Sequence, residues 1–325
     1  MRVFLTGGTG FVGSQVAKRL VIAGHEVRCL VRSTNATPLL QQLGVQLVRG
    51  DLTDKASLLE GMKGCHWVIH AGAAYDFWTP DRSVYRSVNV HGARYVMETS
   101  LEAGASKLVH VSTVVVYGKP AASPVREETP VGPVRFSEYA RTKYEGELVA
   151  WDLCKSRGLP LVVVYPGAVL GAGDPKATGQ YVRSLLQREM PATVLNDAPF
   201  PFVYVDDVAE AIVRAAGKED NVGERYLLTA ENLTFGQINR MIEEISGIRL
   251  PRLSLPSTVA TLTAALLTGI ARFTKKPPAW GMSLDQIRTM KHSPIFDGSK
   301  AERELGIRYT PIGQALRAAI ESYQA

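Results

Sequence analysis

Over its first 170 residues the chain alternates short apolar runs with amphipathic stretches of helical period. Runs at 3–6, 27–31, 45–49, 67–71, 108–113 and 161–165 are rich in Val, Leu and Ile and mostly lack polar alternation. That is the pattern of strands buried on both faces. Between them, 11–23, 83–103 and 137–155 carry apolar residues at helical spacing. Strand–helix alternation predicts a parallel sheet with right-handed crossovers, hence an α/β, doubly wound (Rossmann) domain.

Beyond residue 172 the rhythm changes. Gly171-Ala172-Gly173-Asp174-Pro175 marks a loop, followed by a helix near 180–188, a strand-to-helix unit at 202–216, a strand at 225–229 and a helix at 235–246. The last hundred residues read as mainly helical, a smaller lobe closing over the sheet's carboxyl edge. The expected division is a cofactor-binding Rossmann domain of residues 1–172 plus about 202–230, and a substrate-binding lobe of about 173–201 plus 231–325. Residues 253–271 are mostly apolar, but Pro256, four Thr and two Ser interrupt them, short of what a membrane-spanning helix needs. The expectation there is a helix over 256–273, serving as a substrate lid or as a membrane-surface contact.

Composition narrows the class. The chain has 325 residues, 46% hydrophobic and 21% charged, enough to build a core without disulfides or metal, which excludes a disordered or collagen-like chain. Net charge is +6, yet no basic run exceeds two residues, Lys275-Lys276, so a nucleic-acid partner is not expected. Cys29, Cys65 and Cys154 are odd in number and lack CxxC spacing, which indicates neither a disulfide framework nor a metal site. Met1-Arg2 runs directly into the first strand; a cytoplasmic protein without a signal peptide is expected.

Candidate chemistry begins at Thr6-Gly7-Gly8-Thr9-Gly10-Phe11-Val12-Gly13, where Gly7, Gly10 and Gly13 lie between a strand and a helix. A glycine turn there aims backbone N–H groups and the positive end of the helix at a bound pyrophosphate. The second strand ends Leu30-Val31-Arg32-Ser33. A site preferring NAD puts an acid near this place; Arg32 instead suits a 2′-phosphate, so NADP(H) is favoured with NAD(H) still open. Asp51, with Leu52 beside it, could accept a hydrogen bond from adenine or could cap the next helix. Small residues at Ala71, Gly72 and Ala73 would let a cofactor lie against the backbone, whereas His70 reads as a buried structural histidine.

Tyr139 and Lys143 are four residues apart and share one helical face. A phenol is a poor base at neutral pH, and an adjacent ammonium lowers its pKa, so Tyr139 could exchange a proton with an alcohol or carbonyl. At the end of the fifth strand Thr113, or else Ser112, could hold the substrate oxygen. Tyr75 and Trp78 could stack on a flat or lipophilic substrate.

Together TGGTGFVG, the Ser112-Thr113 before VVVYG, YARTK, YPGAVLG and FVYVDDVAEA resemble the extended short-chain dehydrogenase/reductase superfamily, also called the NAD-dependent epimerase/dehydratase family. AAYDFWTPD, Val31-Arg32 and GERYLLTAENLT look most like its dihydroflavonol-4-reductase-like branch. The resemblance implies Thr113, Tyr139 and Lys143 as catalytic residues, and Gly7, Gly10 and Gly13 as the cofactor loop with amides from Phe11 and Val12. It also implies Tyr165, Pro166 and Gly167 packing on the nicotinamide, Asn89 supporting the site, Tyr204 and Asp206 in a structural segment, and a homodimer. Dehydratases of the superfamily carry Asp-Glu after the catalytic threonine; Val114-Val115 here argue against that activity. The expected function is NADP(H)-dependent reduction of a ketone or aldehyde, or the reverse, on a small, partly apolar substrate. A nucleotide-sugar epimerase with retained NAD is the alternative, and a non-catalytic cofactor sensor stands behind both.

Overall fold

Side chains along a strand point alternately to opposite faces, and here both faces are covered. In β1 (Arg2–Thr6), Val3 and Leu5 enter one apolar core while Phe4 enters another. The same division recurs in β6 (Leu161–Pro166), with Val162 and Val164 on one side and Leu161, Val163 and Tyr165 on the other. Hence the apolar runs lack polar alternation.

In the computed structural model, which describes residues 1–33 and 38–324, these strands form the expected doubly wound sheet. After β1 come α1 (Phe11–Ile22), β2 (Glu26–Val31), α2 (Pro38–Gln42), β3 (Gln46–Arg49), α3 (Lys55–Met62), β4 (Trp67–His70), α4 (Ser83–Arg86), α5 (Ala93–Glu102), β5 (Lys107–Val111), α6 (Glu138–Arg157) and β6. The predicted helix over 83–103 is interrupted: Ser87–Gly92, between α4 and α5, is wound as a π-helix. The fifth strand stops at Val111, short of the predicted 113. Thr113 instead caps a 3₁₀ turn at Val114–Tyr117, its side chain accepting from the Val115 N–H.

The remaining chain forms β7 (Ala168–Leu170), α7 (Ala177–Leu186), β8 (Thr193–Val194), β9 (Pro199–Tyr204), α8 (Val205–Gly217), β10 (Arg225–Leu228), β11 (Glu231–Thr234), α9 (Phe235–Ser246), β12 (Ser254–Leu255), α10 (Ser257–Thr274), α11 (Leu284–Lys291), α12 (Ser299–Leu305) and α13 (Ile312–Gln324). Among the described residues the main sheet has seven strands, all parallel, in the order β3-β2-β1-β4-β5-β6-β10. The order reverses between β1 and β4, and the crevice outside the carboxyl ends of strands at such a point is where ligands bind open α/β sheets.

Within the predicted strand-to-helix unit, β9 pairs in a second sheet, parallel to β7 and antiparallel to β11. The helix that follows, α8, packs on the main sheet's first core through Val208, Ile212 and Ala215. A third core is built from Phe200, Phe202, Phe235, Ile242 and Leu316 around the C-terminal helices. It lies beyond the sheet's carboxyl edge, which makes that edge a cleft rather than a surface. No helix of the described residues is long and apolar enough to cross a membrane.

Candidate active site

The turn between β1 and α1 admits only glycine at its contact points. Gly7 has φ +77, and a Cβ there would lie 2.6 Å from the Gly72 nitrogen. At Gly13 a Cβ would lie 2.1 Å from the Gly7 carbonyl oxygen. Gly8, outside the GxxGxxG spacing, is needed as well, because a Cβ would meet the Cys29 Sγ at 2.3 Å. Gly10 caps α1 with no acidic residue in the first turn, and the Gly10 N–H donates to the Gly7 carbonyl at 2.9 Å. The result is an uncluttered helix N-terminus facing the crevice, a cradle that suits a pyrophosphate. Phe11 and Val12 open that helix.

Around the cradle, Thr6 links the two central strands. Its hydroxyl is 2.8 Å from the His70 Nδ1 and accepts from the Gly72 N–H at 3.1 Å. Ala71, Gly72 and Ala73 follow β4 in extended chain, with Leu52 close against the α-carbon of Gly72. Asp51 does not cap the next helix; Asp54 does, accepting from the Ala56 and Ser57 N–H groups. The Asp51 Oδ1 instead closes a turn with the Thr53 hydroxyl at 2.6 Å and the Thr53 N–H at 2.9 Å. Those bonds, with the Arg32 charge adding to them, hold its carboxyl below the usual range. Arg32 is exposed at the end of β2.

The reacting groups gather at the mouth of β5. Ser137 caps α6 by accepting from the Ala140 N–H at 3.2 Å, which starts the helix two residues before Tyr139. Tyr139 lies beside Thr113. Lys143, one turn on, donates to the Val111 carbonyl at 2.8 Å. Ser112 is not available as a substitute for Thr113, because its buried hydroxyl donates to the Glu147 Oε2 at 2.7 Å.

Electrostatics correct one expectation. The Tyr139 phenol is raised, not lowered: burial dominates, and neighbouring Tyr75 adds to it, while Thr113 beside it opposes. Lys143 is itself pushed down to about 8 by burial, with Glu147 acting against that. The phenol is therefore neutral and the lysine sits near the threshold of losing its charge. His70 is lowered to about 3, and the stacked His110 well below its usual value, by burial and then by the Lys143 charge. Both imidazoles are neutral supports, as read for His70.

The roof over the phenol is aromatic. The Tyr75 ring meets Tyr139 edge-on at 5.0 Å and Phe77 does so at 6.2 Å. Phe77, which the sequence reading did not single out, joins Tyr75 in this roof, while among the described residues Trp78, expected with Tyr75 to stack on a substrate, makes no ring contact with either tyrosine. The loop is clamped from the starts of α7 and α11: Asp76 pairs with Lys176 at 2.8 Å, and the Ser283 hydroxyl donates to the Phe77 carbonyl at 3.0 Å. Asn89, in the π-helical segment, bonds both ways to Ala74, at 2.8 and 3.1 Å, and donates to the Thr142 hydroxyl. Gly146 allows this approach, since a Cβ there would lie 2.1 Å from the Asn89 carbonyl oxygen.

Tyr165 is a second correction. Its side chain lies in the core, with the hydroxyl donating to the Glu147 Oε1 at 2.6 Å and the ring edge-on to Tyr117, so it cannot pack on a cofactor. Pro166 ends β6 as a buried residue, and Gly167 passes so close to Pro201 that a Cβ would lie 2.6 Å from its carbonyl oxygen. Glu147, which sequence reading missed, accepts from Ser112, Tyr165 and Trp151 together. The signal was its position, four residues after Lys143. Tyr204 and Asp206 sit at the start of α8, where Arg19 of α1 approaches Asp206 at 4.0 Å and Glu210 at 3.0 Å.

Comparison with known proteins agrees with this arrangement. The profile described as the NAD dependent epimerase/dehydratase family matches residues 3–228. A protein of Synechocystis sp. named "Putative dihydroflavonol 4-reductase" is 32% identical over 333 residues, covering 99% of this chain and 94% of its own. The crystal structure of gox2253 superposes with a TM-score of 0.85 at 32% identity, covering 99% and 97% of the two chains. UDP-glucuronic acid 4-epimerase from Bacillus cereus, solved with UDP-glucuronic acid and NAD, shares the fold with a TM-score of 0.78 at 23% identity, over 100% and 99%.

Proposed function

The chain belongs to the NAD-dependent epimerase/dehydratase family and is an NAD(P)-dependent enzyme of the extended short-chain dehydrogenase/reductase type, and from that premise we propose that it reduces a ketone or aldehyde, or oxidises the alcohol, with NADP(H). The observation that carries this reading is the buried Tyr139 phenol beside Thr113 and beneath the Tyr75–Phe77 roof, one helical turn from Lys143, which donates to the Val111 carbonyl at the end of β5.

The cradle fits a dinucleotide because its glycines leave the space that side chains would fill. In this reading the backbone at Gly7, Gly10, Phe11, Val12 and Gly13 holds the pyrophosphate, Arg32 the 2′-phosphate, and Asp51 and Leu52 the adenine. Ala71, Gly72 and Ala73 line the middle, Tyr139 and Lys143 hold the nicotinamide ribose, and Pro166 with Gly167 borders the ring. When bound, the nicotinamide supplies or takes the hydride. Thr113 holds the substrate oxygen and Tyr139 gives its proton to it. A neutral, buried phenol is in the form that can protonate the carbonyl oxygen during reduction. The aromatic roof sets a small, partly apolar substrate. In this reading residues 1–172 with about 202–230 form the cofactor-binding lobe, and about 173–201 with 231–325 the substrate-binding lobe.

The test is mass spectrometry of the nucleotide carried by the purified protein, followed by NADPH oxidation with a panel of apolar ketones and aldehydes. Exchangeable NADPH and turnover support the reductase. A tightly retained NAD with no net oxidation would make the protein an epimerase instead.

A further inference from the structure

We propose that α10 is an interfacial helix that docks the protein on an anionic lipid bilayer. Its inner side buries only small residues, Ala260, Ala264, Thr268 and Ala271. Its outer side presents Val259, Leu262, Leu266, Ile270 and Phe273, with Leu262 72%, Leu266 66% and Phe273 91% exposed. Those five positions follow one another at steps of three or four residues, so they form one continuous stripe along the helix. Isolated exposed apolar residues are ordinary on a soluble surface; a contiguous stripe marks a contact face. Leu253 before the helix and Trp280 after it are exposed as well.

Charge identifies the occupant. From Ile245 to Leu284 the sequence has no Asp or Glu, while Arg249, Arg252, Arg272, Lys275 and Lys276 are all exposed. This segment therefore carries +5 of the chain's net +6. Among the described residues none of these five cations is in an ion pair with a carboxylate. A second copy laid stripe to stripe would set cations at the helix ends against cations in either orientation. An anionic headgroup layer accepts both the apolar stripe and its basic ends. The helix cannot cross the membrane, so it lies in the plane of the interface.

The docked helix is connected to the catalytic cleft. The Leu284 N–H donates to the Thr268 hydroxyl at 2.9 Å, joining α10 to α11. From that junction Ser283 holds the Phe77 carbonyl, and Asp285 accepts from the Glu138 N–H at 3.1 Å, next to Tyr139. The buried side of the docked helix is thus tied to the loop that carries the aromatic roof, which would bring the cleft close to the bilayer and to a substrate dissolved in it. That last step rests on the reductase reading; the docking does not.

The full-length protein should be floated with phosphatidylcholine vesicles, with and without phosphatidylglycerol, at low and high salt. Binding is expected to the phosphatidylglycerol vesicles and to weaken with salt. Leu262→Glu with Leu266→Glu, and separately Lys275→Gln with Lys276→Gln, should each reduce partitioning by about tenfold or more, with NADPH binding retained as the control for folding. Wild-type protein that stays unbound, or variants that bind equally well, would overturn the proposal. So would a lipid-free dimer in sedimentation velocity that the leucine variants split, because a second copy then covers the stripe. Since flotation is read without turnover, an absence of carbonyl reduction would overturn the functional reading alone.

Discussion

Glu147 stands one helical turn beyond Lys143 on α6, and its carboxylate holds up a lysine charge that burial depresses. Lys143 therefore titrates at about 8 rather than at its usual 10.5. If the ammonium is the form that works in the site, kcat/KM for NADPH should be level below this value and fall as pH rises through it. Glu147→Gln removes the raising influence, so the falling limb should move to lower pH. Part of the variant's cost is structural, because Ser112, Tyr165 and Trp151 all bond to this carboxylate. Breaking such a buried network costs about 2–4 kcal/mol in unfolding measurements. A pH–rate profile that does not move in the folded variant would refute the coupling.

Tyr139→Phe removes the proton donor while keeping the ring that packs against Tyr75 and Phe77. Turnover should drop by about 10²–10⁴-fold, while NADPH affinity, measured by fluorescence titration, should change by no more than about threefold. Thr113→Val should also lower kcat, by a smaller factor, since the phenol keeps its proton while the neighbouring hydroxyl proposed to hold the substrate oxygen is lost. Near-normal turnover in Tyr139→Phe would remove the tyrosine from the mechanism.

Cofactor choice is read from Arg32, whose charge also reaches Asp51. A guanidinium on a 2′-phosphate is a charge-assisted contact worth about 1.5–3 kcal/mol. Arg32→Ala should therefore weaken NADPH about tenfold or more and NADH little, as isothermal titration can compare directly. Parallel losses for the two nucleotides would show that Arg32 does not distinguish them.

The main sheet was legible because strands covered on both faces must be apolar at every position, as Val3, Phe4 and Leu5 illustrate. The cradle was legible because only glycine satisfies its contacts. What stayed hidden depends on which way a side chain faces. Tyr165 follows Leu161 and Val163 on one face of β6, and that alternation, rather than the YPG motif, decides its burial. Phe77 lies at a bend two residues after Tyr75, and that turn of the loop, which has no periodicity signal, brings its ring against Tyr75 and Tyr139. Burial of the phenol by that roof also reverses the direction of the Tyr139 shift, which a helix-face argument with Lys143 alone could not anticipate. The π-helical turn at Ser87–Gly92 has no periodicity signal of its own, although it brings Asn89 to Ala74 and Thr142.

The stacked imidazoles of His70 and His110, with ring centroids 5.2 Å apart, make the fold acid-sensitive. Both are lowered from 6.5, His70 to about 3 and His110 well below its ordinary value. A group whose folded pKa is depressed gives full stability above its unfolded value and loses it as pH falls toward the folded one. Unfolding free energy should thus decline from about pH 6.5 downward, His70 contributing roughly 2 kcal/mol of loss by about pH 5 and His110 adding loss in the same direction. Neither nitrogen of His110 has a hydrogen-bond partner among the described residues, so His110→Phe can keep the stacked ring without leaving a polar group stranded. Urea unfolding at about pH 7.5 and about pH 5 isolates the effect, because carboxylates shared by both proteins cancel. The variant should lose measurably less stability than wild type between the two conditions; an equal loss would mean that His110 does not titrate on unfolding.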